Sequence, residues 1–145
     1  MLGVSVSSST KNVSGAFDGA YRKWLKDGAD KGFAHSQEEV PVDRGAAGLQ
    51  GSGFVPEFRG NEIVWGYTAA HAEPMEFGTR PFWPPTQPLV EWGERVAGDP
   101  SVGFYAQWKI AQEGITAQPY LNPGAEEQQR WYRENDFDDY MERRL

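Results

Sequence analysis

The sequence predicts an α+β fold: an N-terminal strand and long helix, a small antiparallel β-sheet packed by helices, and an extended C-terminal tail with short helices. Three observations point there. Leu2, Val4 and Val6 alternate with small residues, the period-two pattern of a short strand. Val13, Phe17, Ala20, Tyr21 and Trp24 then recur at helical spacing. Two apolar runs flank Arg59-Gly60-Asn61, whose turn chemistry joins them as a hairpin.

Composition bounds the rest. A chain of 145 residues with 14% aromatics suits one domain whose core rests on a few large side chains. Only 39% of residues are hydrophobic and mean hydropathy is −0.66, which is low for a self-contained globule, so burial against neighbouring subunits is expected. Seventeen glycines and ten prolines imply long ordered loops. Without cysteine, neither disulfides nor thiolate metal sites can form. No apolar run approaches the ~18–20 residues of a membrane span. Met1 to Ser7 lacks the basic and long apolar regions of a signal peptide. The net charge of −7 argues against a phosphate-binding face. A soluble, non-secreted, acidic domain is the expected class.

The first helix is expected over Asn12 to Lys31, weakened by Gly15, Gly19, Gly28 and Gly32 at about 1 kcal/mol each and fraying after Gly28. Glu38 and Glu39 lead into a turn at Pro41-Val42-Asp43-Arg44-Gly45, with Asp43 and Gly45 setting it. Leu49–Phe58 and Asn61–Tyr67 form the hairpin, and Ala69–Phe77 is a short helical or irregular segment. Thr86 caps a helix with inner face Leu89, Trp92 and Val96, ended by Gly98. Asp99-Pro100 opens the next, with Phe104, Tyr105, Trp108 and Ala111 as its buried face and Gly114 as its stop. Ile115 to Pro123 is expected to be extended. The charged tail from Ala125 reads as two helical pieces broken near Asn135-Asp136, mobile or packed on a neighbour. The expected division is a domain over residues 1–123 and a tail over 124–145.

Glu76-Phe77-Gly78-Thr79-Arg80-Pro81-Phe82-Trp83-Pro84-Pro85 stands apart, with three aromatics and three prolines in ten residues. Proline fixes φ and removes a donor, so this is a stiff apolar loop, either a clamp on its own core or a dock for another chain. It is echoed by Gly114 to Pro123, which also runs from glycine through threonine to a proline–aromatic pair and a further proline. Two similar ribbons are expected.

Catalytic chemistry finds little support. His35 and His71 are far apart in sequence, and Gly51-Ser52-Gly53 lacks the G-x-S-x-G spacing of a nucleophile turn. Asp136, Asp138 and Asp139 lack the glycine and distal glutamate of a calcium loop. Neither a P-loop nor a dinucleotide fingerprint occurs. The expectation is a non-enzyme with no catalytic, metal or cofactor site. Trp65, Phe82, Trp83 and Trp92 leave open a carbohydrate- or peptide-binding module.

In order, Pro41-Val42-Asp43-Arg44-Gly45, a hairpin, Ala70–Thr79, Arg80-Pro81-Phe82, Trp83-Pro84-Pro85, the helix Leu89–Val96 and Gly114–Leu121 resemble the neck or tail-completion ("minor tail component") proteins of long-tailed, siphovirus-type phages and related archaeal tailed viruses. The resemblance covers roughly residues 36–123. Arg44, Pro74-Met75 and Tyr120 depart from the family pattern, and neck protein and tail terminator both stay open. It implies a structural virion protein at the head–tail junction, assembled in the host cytoplasm. Its partners would be a homo-oligomeric ring of six or twelve copies, head-closure or connector proteins and tail-tube proteins. Genomic DNA would pass through the channel without sequence-specific binding, and no membrane is implied. The residues expected at subunit or tail contacts are Glu76 to Pro85, with Pro119, Tyr120, Leu121 and Pro123.

Overall fold

The computed structural model describes residues 2–7, 15–41 and 48–143; the side chains of residues 7 and 15–17 are not described. The turn expected around Asp43 and Gly45, and the helix start expected at Asn12, lie outside the described residues. The chain forms two compact units, one running to residue 72 and resuming at 119, the other spanning residues 73–118. The expected division after residue 123 falls within a continuous helix, Leu121–Glu134, whereas the two units meet at residues 72 and 119.

The first unit is an α+β layer. Strands β1 (Leu2–Ser7), β2 (Gly53–Arg59) and β3 (Glu62–Tyr67) make an antiparallel sheet of order β1-β3-β2. The expected hairpin joins β2 to β3 through Gly60, whose φ of 65° suits glycine. Leu2, Val4 and Val6 lie opposite Tyr67, Trp65 and Ile63. Directly paired residues share a sheet face, so β1 extends the buried face that carries these three core side chains.

Helix α1 (Gly15–Glu39) crosses that face. Leu25, Ala29, Gly32 and Ser36 recur at helical spacing and are buried. The fraying expected after Gly28 does not occur. Gly28 and Gly32 are instead places of close approach to helix α5 (Leu121–Glu134). A Cβ on Gly28 would sit 2.2 Å from the Tyr132 ring, and one on Gly32 would sit 2.7 Å from the Gly124 carbonyl oxygen. Packing at this seam outweighs the propensity cost of glycine, about 1 kcal/mol each.

The charged tail is likewise built into the unit. Helix α5 and helix α6 (Phe137–Glu142) break at Asn135-Asp136, as expected, and Asp136 caps α6 by accepting from the Asp138 N–H at 3.0 Å. Trp24 donates to the Asn135 carbonyl at 2.6 Å, Tyr132 to the Leu25 carbonyl at 2.6 Å, and Trp65 to Gln128 Oε1 at 2.7 Å. Leu121 to Pro123, expected to be extended, form the first turn of α5.

The second unit is a helical hairpin. Short helix α2 (Ala72–Phe77) starts at the boundary, followed by α3 (Thr86–Ala97) and α4 (Pro100–Glu113). Gly98, at φ 66°, ends α3; Asp99 then caps α4 by accepting from the Ser101 N–H at 2.9 Å, with Pro100 at the first helical position. Thr86 is not the expected cap. Pro85 takes that position, and the Thr86 hydroxyl accepts instead from Gln107 Nε2 at 2.7 Å. The two helices meet through glycine, since a Cβ on Gly103 would lie 2.2 Å from the Leu89 carbonyl oxygen and one on Gly93 2.7 Å from the Gly103 nitrogen.

Candidate docking surface

Backbone contact between α3 and α4 turns large side chains outward. The face of α4 towards α3 and the proline loop carries Gly103 and Gln107, both buried, rather than the aromatics. Gln107 also donates to the Pro84 carbonyl at 2.9 Å. Phe104, Tyr105 and Trp108 are therefore 54%, 60% and 53% exposed, and Val96 on α3 is exposed too. This corrects the expectation that these four line the interior; Leu89, Trp92 and Ala111 are half-buried. The Tyr105 and Trp108 rings lie 6.2 Å apart on one outward face. Two sequence signals would have revealed this arrangement. Gly93 and Gly103 sit where facing helices need small residues, and α4 carries only Lys109 and Glu113 as charges, despite its exposure.

The two echoed ribbons do come together. The Thr79 N–H donates to the Ile115 carbonyl at 2.9 Å, the Ile115 N–H to Thr79 Oγ1 at 3.0 Å, and the Gln118 N–H to the Met75 carbonyl at 2.8 Å. Gly78 and Gly114 have φ of 72° and 77°, and a Cβ on Gly114 would lie 2.2 Å from the Thr79 carbonyl oxygen. Neither ribbon is a β-strand. The Phe82 N–H donates to the Ile110 carbonyl at 3.4 Å, and Pro84 is buried, so the loop is anchored along α4.

On this anchored frame the expected contact residues divide. Phe77, Arg80, Pro81, Phe82, Trp83, Pro85 and Pro119 are exposed, with Trp83 at 66%. Gly78, Thr79, Pro41 and Pro123 are half-buried. Glu76 is buried. Tyr120 and Leu121 are corrected: both are interior to the first unit. Tyr120 donates to the Ala72 carbonyl at 2.7 Å and packs edge-on to Tyr67 at 4.9 Å.

Ser52, His35 and His71 all lie in the first unit. Ser52 Oγ donates to the Leu49 carbonyl and accepts from the Ala69 N–H. His71 is exposed and His35 half-buried. Two open clefts lie in the first unit, one of about 460 Å³ lined by Asp27, Trp131, Asn135, Tyr140 and Arg143, the other of about 550 Å³ beside His35, Arg130 and Arg133. Among the described residues no helix is long and apolar enough to cross a membrane. Comparison of the chain with protein-family models, curated proteins and solved structures gives no match.

Proposed function

We propose that this chain is a structural virion protein of the head–tail junction, a neck or tail-completion subunit whose residues 73–118 dock onto another protein of the particle. One observation carries the reading: Phe77, Phe82, Trp83, Val96, Phe104, Tyr105 and Trp108 all stand exposed on one 46-residue unit. Soluble chains rarely leave so much aromatic surface in water unless something covers it. The resemblance over roughly residues 36–123 implies a partner among ring, connector and tail-tube subunits of a particle assembled in the host cytoplasm. A net charge of −7 keeps such a subunit from holding phosphates, so a genome passes it without sticking. No catalytic step is assigned.

The test is particle assembly. Phe82→Ala and Trp83→Ala are expected to leave separate filled heads and finished tails, counted by electron microscopy, with the mutant chain still folded. Normal virions from both variants would refute the reading. A carbohydrate- or peptide-binding module is favoured only by the paired Tyr105 and Trp108 rings. A monomer whose tryptophan fluorescence titrates with an oligosaccharide would favour it.

A further inference from the structure

The two edges of the sheet are built differently. The β2 edge is closed to further pairing. Pro56 lacks an N–H, the strand is bulged between Phe54 and Glu57, and Glu57 and Arg59 place an ion pair along it. The β1 edge has none of these guards. Its residues Leu2 to Ser7 include no proline and no charge, β1 pairs with β3 in unbroken register, and among the described residues no strand pairs with its other side. Leu2, Val4 and Val6 lie on the core face yet are only half-buried, whereas Ile63, Trp65 and Tyr67 opposite them are fully buried.

We infer that the open edge of β1 pairs antiparallel with β1 of a second copy, about a two-fold axis at Val4, into a continuous six-stranded sheet. The register follows from the pleat. Among the registers that keep the apolar side chains of both copies on one face, the one that sets Val4 against Val4, and Leu2 against Val6, pairs all three of them; a one-residue slip sends one set to the other side. Electrostatics selects the same element. Two chains of charge −7 repel wherever acidic surfaces meet, and an uncharged strand removes that repulsion at the contact. Because, among the described residues, only one of the two sheet edges is open, the pairing closes at two copies instead of propagating as a fibre. The contact belongs to the first unit and rests on no part of the head–tail reading, which concerns residues 73–118.

The chain has no cysteine, so a single introduced thiol reports on the axis. Cα atoms directly opposed in an antiparallel pair are ~4.5–5.5 Å apart, within disulfide reach. The 145-residue chain is expected to sediment as a dimer at tens of micromolar. Val4→Cys is expected to give a disulfide dimer on oxidation, while Ser5→Cys, offset from its own copy by a diagonal of ~7–8 Å, stays a thiol. Val4→Lys sets two like charges at the axis and is expected to give a monomer with unchanged circular dichroism. A wild-type monomer with no Val4→Cys dimer overturns the inference. So does cross-linking of Ser5→Cys as readily as Val4→Cys, or association abolished by Trp108→Ala and kept by Val4→Lys. Loss of the dimer with normal head–tail joining leaves the proposed function standing, and the reverse outcome separates them equally.

Discussion

The two units of this chain use the same residue types to opposite ends. Around α1 and α5 the polar tips of aromatic rings are tied inward. Trp65 reaches Gln128, Tyr67 is hydrogen-bonded to Ser36, Tyr132 reaches the Leu25 carbonyl and Trp24 the Asn135 carbonyl. In the α3–α4 hairpin the aromatics Phe104, Tyr105 and Trp108 point to solvent. Glycines admit close approach in both. On the α1–α5 seam Gly32 meets the Gly124 carbonyl oxygen, but Gly28 makes room for the Tyr132 ring, so an aromatic side chain is taken into the seam. Between α3 and α4, Gly93 and Gly103 both meet backbone, and the bulky neighbours stand on the outer face. One seam is built to stabilise the chain, the other to leave a surface behind.

The comparison breaks most visibly at Trp65. It is fully buried, packs near Phe33 with ring centroids 5.8 Å apart and holds Gln128, itself 1% exposed. Trp65→Ala is expected to cost about 4 kcal/mol, read as a shift of the urea midpoint, from lost burial, the cavity left behind and an amide oxygen deprived of its donor. A loss below about 1 kcal/mol would mean that the first unit is not organised around this ring.

The seam can be probed more finely by pH. Burial first of all pushes the Tyr132 hydroxyl from 10.0 up to about 12; the Gln128 hydrogen bond opposes this, while Tyr21, Asp27 and Asp30 add to it. Below the ordinary tyrosine value of 10.0 both folded and unfolded states keep the proton, and this group's stabilisation is fully present. As pH rises from 10 towards 12 the unfolded chain releases the proton first, so stability falls, by roughly 2 kcal/mol after allowance for partial exposure. Urea midpoints measured on either side of pH 10 are expected to diverge more for the wild type than for Tyr132→Phe, which has no hydroxyl to ionise. Equal divergence would show that the ring is wet and the seam loose.

The sequence was most legible where local chemistry decides. Gly98, Asp99-Pro100 and Gly114 mark the ends of α3 and α4, Arg59-Gly60-Asn61 marks the hairpin, and Asn135-Asp136 marks the break in the tail. Phe82 and Trp83 could be singled out because prolines on both sides deny them a regular element. What a helix packs against is a longer-range matter. The apolar period of α4 identifies an apolar stripe without saying what covers it, so Phe104, Tyr105 and Trp108 were expected inside. Tyr120 and Leu121 were misplaced for the same reason: the hydrogen bond that draws Tyr120 inward reaches Ala72, 48 positions away. The charges of the tail suggested solvation, but Gly124 and Gln128 give α5 a narrow inner face that composition hides.

The smallest expected effect is the most informative about the surface. Trp108 is 53% exposed, and its ring neighbour, Tyr105, is exposed as well. Trp108→Ala is therefore expected to change stability by no more than about 0.5 kcal/mol, as at other surface positions. The same residue type would then be worth about 4 kcal/mol at position 65 and almost nothing at position 108. Burial accounts for the first tryptophan and only in part for the second, as expected of a ring on the proposed docking surface. A loss above about 2 kcal/mol on Trp108→Ala, with the urea slope unchanged, would place that ring in the chain's own core and remove α4 from the docking surface.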